Sequence, residues 1–171
     1  MINDVAGNIL RFFFLILFQV LILNNIQLSG YLNPFLYVLF ILMLPFRTPN
    51  WLVLVLSFLM GISIDMFSDT GGMHAAASVF MAFVREPVLR LVAPREGYDV
   101  NQRPTVQQFG FGWFITYAGL LVFVHHLFLF YMEAFHISEF FSTFFRVILS
   151  SLFTLTLIFI GQLFVAKHKS G

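Results

Sequence analysis

The chain has 171 residues, of which 60% are hydrophobic and 10% charged, with 25 Phe and a formal net charge of +1. A soluble domain of this size needs many more charges to cover its surface, so the composition points to a bilayer as solvent. The Lys and Arg residues are dispersed and Cys is absent, which excludes the concentrated basic face that nucleic acid requires, and with it disulfides, thiolate catalysis and Cys-based zinc sites.

Six apolar segments are expected from hydropathy and breakers, at about 9–23, 32–46, 51–67, 73–91, 109–132 and 144–166. A helical span needs roughly 20 residues to cross about 30 Å of hydrocarbon. The run after Arg11 invites comparison with a secretory signal, but no small-x-small pattern follows Leu23 and more apolar runs come after it. It reads as a retained first span. The second segment is short: Asn33-Pro34 reads as an N-cap followed by Pro at the first helical position, while Pro45 and Pro49 bracket a tight turn.

In the third segment Ser57, Gly61 and Asp65 recur at four-residue spacing, one stripe on a helix that Asp69 continues if the helix persists. Two small residues below an acid let a neighbouring backbone approach closely. Measured from an interfacial Trp51, Asp65 lies about 21 Å up the helix, some 9 Å inside a slab of about 30 Å. An ionised Asp at a helix centre costs about 2.5 to 3.5 kcal/mol on the insertion scale, so it must be protonated, paired, hydrogen-bonded or facing a polar cavity. Arg146 is the natural partner for Asp65 or Asp69. Asp65 as a helix cap or interhelical hydrogen-bonder is the structural reading, and a proton or solute site is the functional one.

Gly71 and Gly72 then supply a turn, and Gly72 with Ala76 and Ser78 with Ala82 place small residues four apart, which predicts close packing of segments three and four. No Lys or Arg flanks these glycines, against a phosphate-cradling loop. In the fourth segment only 12 uncharged residues precede "REPVLR". For it to span, Arg85 and Arg90 must snorkel to the headgroups, and Pro87 kinks or ends the helix. The polar stretch 92–108 is a solvated loop or a docking surface, with Arg95, Glu96, Tyr98 and Asp99 as candidate interaction residues.

The remaining constellations carry little chemistry. Asp65-x-x-x-Asp69 lacks the second acidic pair of a phosphatidyltransferase metal site. His125 and His126 point about 100° apart on a helix, whereas Glu133, His136 and Glu139 recur at a three-residue spacing that could hold a metal. An outer loop or interfacial helix gives the same pattern. No Ser-His-Asp or Cys-His pairing is recognisable, so neither an enzyme nor a cofactor is expected. The Phe12–Phe14 and Phe140, Phe141, Phe144, Phe145 clusters are lipid-facing or interhelical filler, or a flat face for a partner helix.

With six crossings, Arg11, Arg47, Arg85, Arg90, Arg95, Arg103, Lys167 and Lys169 fall on one side and Arg146 on the other. That asymmetry predicts that both termini are cytoplasmic.

Gly61, Ile64-Asp65, a short turn, Gly72 with small residues after it, and the continuation "FVREPVLRLVAPREGYD" together resemble the MreD family of bacterial rod shape-determining proteins, in its Bacteroidetes type. Length and six spans with both ends inside extend the resemblance over the whole chain, with the discriminating residues at 61–99. It implies an all-α, polytopic, non-enzymatic scaffold of the cell inner membrane that serves cell elongation and peptidoglycan synthesis. Such a scaffold binds the single-pass partner MreC, and through it meets MreB filaments and the peptidoglycan transpeptidase and glycosyltransferase. The family is also similar in architecture to the substrate-binding subunits of energy-coupling-factor vitamin transporters, which makes a small-solute subunit the alternative. Those subunits carry Ala-x-x-x-Ala patterns on the first span, and "ILRFFFLILFQVLIL" has none.

Overall fold

The computed structural model describes residues 2–26, 33–99, 102–134 and 140–168, with side chains from Ala6 to Gln162 within those ranges. All regular structure among them is helical: α1 (Ile2–Leu21), 3-10 turns at Leu23–Asn25 and Leu36–Val38, the four-residue α2 (Leu39–Leu42), α3 (Asn50–Ser68), α4 (Met73–Leu91), α5 (Val106–Ala134) and α6 (Phe140–His168). Four stretches, Ala6–Asn25, Asn50–Ser68, Val106–Ala134 and Phe140–Gln162, are long and apolar enough to cross a membrane. α4 matches α3 in length but carries Arg85, Glu86 and Arg90.

α3, α4, α5 and α6 pack each against the next, and α1 packs on α3 and on the segment around α2. The 69–72 turn marks one end of the bundle, called here the turn end. The 92–105 loop marks the other, the loop end. Residues 33–46 run between the two ends inside a cage of helices, with Tyr37, Val38, Ile41 and Leu42 fully buried.

The expected helical span at 32–46 is therefore corrected: among its described residues only a 3-10 turn and four α-helical residues form. Nor does Asn33-Pro34 start a helix, since Phe35 precedes the 3-10 turn and makes no side-chain cap. Hydropathy reports exclusion from water, and here protein rather than lipid does the excluding. A lipid-facing segment must be helical to satisfy its own backbone, but one enclosed by protein can leave that task to its neighbours.

Two further expectations change in α4. The helix does not end at Pro87 but continues to Leu91 with Val88 and Leu89 buried. Arg85 does not snorkel: it is 4% exposed and turns inward. Arg90 does reach outward, and pairs with Glu86 one turn earlier at 3.0 Å. In α5 the regular geometry breaks at Gly110, whose φ of 81° is open to glycine.

Candidate functional site

α3 ends at Ser68 because Asp69 takes the left-handed conformation, φ 53° and ψ 43°. Asp69 thus leaves the Ser57–Gly61–Asp65 stripe and stands exposed at the turn end. Gly71 and Gly72, with φ of 58° and 94°, reverse the chain so that α4 starts beside the last turn of α3. The first N–H groups of a helix have no partner within it. Asp65 supplies one: its carboxylate accepts from the backbone N–H of His74 at 3.0 Å and of Ala75 at 2.8 Å, and from the Thr70 hydroxyl. The acid of one helix is the N-terminal cap of the next, where the helix dipole also favours negative charge.

Gly61 lets this happen. A Cβ built there would lie 2.4 Å from the Ala75 Cα and 2.5 Å from the His74 carbonyl oxygen. The expected close packing of α3 and α4 is present, but it rests on Gly61 against Ala75 rather than on Ala76, which is half-buried to the side. Ser57 is buried and donates to the Val53 carbonyl of its own helix at 2.7 Å.

The expected Asp65–Arg146 pairing does not occur. Arg146 meets Glu133 at 3.1 Å and lies over the Phe130 ring at 4.2 Å from its centroid. Depth along the bundle matched Asp65 to the wrong helix, because the α4 N-terminus lies nearer and offers two donors. Of the expected metal triad, Glu133 is this Arg146 partner, while His136 and Glu139 lie outside the described residues. No group of three potential metal ligands converges among the described residues.

The polar residues of the apolar helices converge on the irregular segment. Gln19 of α1 donates to the Pro34 carbonyl at 3.0 Å and accepts from the Leu36 N–H at 2.8 Å. On α6, Ser150 accepts from the Asn33 N–H at 3.2 Å and Thr154 from the Phe35 N–H at 3.1 Å. Tyr117 of α5 donates to the Leu42 carbonyl at 3.0 Å, and Arg85 donates to the Leu44 carbonyl and, at 2.9 Å, to the Tyr117 hydroxyl. Apart from the Arg85–Tyr117 bond, each of these bonds satisfies a backbone group of the irregular segment that its short helical turns leave unpaired.

Three buried histidines complete this core. The Tyr37 hydroxyl lies 3.0 Å from His74 Nδ1 and 2.7 Å from His125 Nε2. It has one proton, so one imidazole accepts it and the other donates. His126 Nδ1 faces the Val122 carbonyl at 2.9 Å and so carries the proton in the neutral ring, leaving Nε2 to accept from Thr154 at 3.2 Å. The line from His74 to His125 ends at His125 Nδ1, which is buried and has no hydrogen-bond partner among the described residues. Sequence separation hid this cluster: His74 and Tyr37 are 37 residues apart, and Tyr37 and His125 are 88.

At the turn end a polar cleft of about 440 Å³ opens between α1, α3, α4, α5 and α6, with Asn24, Thr70, His74, Glu133 and Arg146 among its walls. At the loop end, Arg95, Glu96 and Asp99 are exposed. Tyr98 instead fastens the loop: its hydroxyl donates to the Leu89 carbonyl at 2.8 Å and its ring stacks on Phe46 at 4.4 Å. Trp113 donates to the Val92 carbonyl at 2.8 Å beside it. Phe13, Phe14, Phe141 and Phe145 are exposed on α1 and α6, as lipid-facing filler requires. Comparison with protein families, with curated proteins and with solved structures finds no match for the chain.

Proposed function

We propose that the chain is a non-enzymatic inner-membrane scaffold of the kind the MreD resemblance implies, which binds an MreC-type single-pass protein and positions cell-wall synthases during elongation. One observation carries this reading: of the residues on which the resemblance rests, Gly61 and Asp65 build a packed joint between α3 and α4 and Gly72 supplies its turn. The one carboxylate expected inside the membrane is spent on holding helices together, which suits a protein that docks partners and turns nothing over. In this reading all six passes cross, the 33–46 segment included, and both chain ends share the cytoplasmic side with the 92–105 loop. Arg95, Glu96 and Asp99 are then exposed toward cytoplasmic partners.

Affinity capture with the full chain should recover a single-pass membrane protein with a periplasmic coiled coil, and depletion should round rod-shaped cells. The polar cleft at the turn end favours the second reading, a small-solute subunit. Nanomolar binding of a vitamin by the purified protein, with cell shape unchanged on depletion, would replace the first reading by the second.

A further inference from the structure

A groove of about 520 Å³ runs between α1 and α3 at the loop end, walled by Ile9, Phe12, Phe40, Leu44, Leu52 and Leu56. It follows from the irregular segment. At the turn end Asn24 donates to Ser68 at 3.0 Å and pins α1 to α3. At the loop end the segment turns away at Pro45, where the Thr48 N–H bonds the Pro45 carbonyl at 3.1 Å, and the space between α1 and α3 stays open there among the described residues.

We propose that this groove binds one anionic phospholipid, its acyl chain against the apolar walls and its phosphate at the arginines of the rim. Two observations select that occupant. From Pro49 to Leu59 the α3 wall is about 15 Å long at 1.5 Å per residue, half of a hydrocarbon core of about 30 Å and thus one leaflet deep. A lipid tail fits that depth, whereas a partner's spanning helix would need the groove to continue past the Asn24–Ser68 contact. The rim is basic: Arg47 and Asn8 border the groove, and Arg11 stands beside it, donating to Asn8 at 3.2 Å. Basic pockets beside membrane helices select anionic headgroups. The site depends on the bundle lying in a bilayer and not on the scaffold reading.

Native mass spectrometry of the full chain in detergent, with phosphatidylglycerol or phosphatidylcholine of matched chains, tests this. The wild type should retain phosphatidylglycerol in preference. Arg11→Gln and Arg47→Gln should each lower that retention roughly fivefold without changing phosphatidylcholine. Leu56→Trp, which fills the groove, should abolish retention of both lipids, and helical circular dichroism identical to wild type confirms that the variant is folded. Equal retention of the two lipids by the wild type, or undiminished selectivity in the Arg11→Gln/Arg47→Gln double variant, would overturn the proposal. So would glycerol phosphate competing as well as the lipid, which would make the rim a plain anion site. A wild-type dimer that Leu56→Trp separates would assign the groove to a second copy instead.

Discussion

Gly61 has no room for a side chain, and its obstacle is backbone. Because a Cβ at this position meets the Ala75 Cα and the His74 carbonyl, Gly61→Ala must push α3 and α4 apart and lengthen the Asp65 bonds with them. Overpacking of this kind costs about 1–3 kcal/mol, and Ala75→Gly cannot relieve it, since the Cα stays. Thermal unfolding in detergent checks this: Gly61→Ala within about 0.5 kcal/mol of wild type would show that the helices yield freely. Asp65 makes a second prediction. Asp65→Ala orphans two buried N–H groups at roughly 1–3 kcal/mol each, whereas Arg146→Ala loses a partly exposed pair worth roughly 0–1 kcal/mol. Since the two side chains share no partner among the described residues, their double variant should be additive within about 0.5 kcal/mol. Coupling above that would restore the ion pair that depth alone suggested. The four-residue stripe made the joint legible, because helical periodicity is local. The receiver of the carboxylate was not legible, because backbone donors leave no mark in a sequence.

The elements divide into those that satisfy their own backbone and the one that does not. α1, α3, α4, α5 and α6 match five of the expected apolar segments closely, since hydropathy and helix length carry that information. The stretch 33–46 has the same apolar signature for a different reason, and the signs of its irregularity are spread over other elements: Gln19 in an unbroken apolar run, Arg85 in a short fourth segment, Ser150 and Thr154 in the sixth. Each polar residue is awkward alone, and together they form the lining of one channel of backbone. Thr154 gives the sharpest test, because it accepts from Phe35 and donates to His126. Thr154→Val leaves a buried N–H and an imidazole nitrogen unpaired and should destabilise the protein by about 2–6 kcal/mol at the 1–3 kcal/mol expected for each such group. Thr154→Ser keeps the hydroxyl and should recover most of that loss. Equal stability of the Val and Ser variants in denaturant titration would mean that water or a shifted backbone replaces the bond.

At the scale of the molecule the same segment decides how many times the chain crosses. Counting only the stretches that are long and apolar enough gives four crossings. In that arrangement α4 does not cross, and the turn at Asp69 and the loop at Glu96 share one side of the membrane. The six crossings we propose need α4 and the 33–46 segment to cross as well. α4 packs antiparallel against α3 and is sealed to it by Asp65 at one end, and Arg85, its one buried charge, is hydrogen-bonded inward to the Leu44 carbonyl and the Tyr117 hydroxyl. A charged residue that finds its partners inside the bundle no longer weighs against insertion. With Arg85 removed from the count of exposed cations, seven positions against one remain, and under the proposed six crossings the positive-inside rule assigns the loop end to the cytoplasm. The chain contains no Cys, so single cysteines report without background. In intact cells, an impermeant maleimide should label Asp69→Cys from outside and leave Thr48→Cys and Glu96→Cys untouched until the membrane is opened. Labelling of Asp69→Cys and Glu96→Cys from the same side would leave α4 uncrossed, and with it would fall the placement of the basic rim and the loop in the cytoplasm.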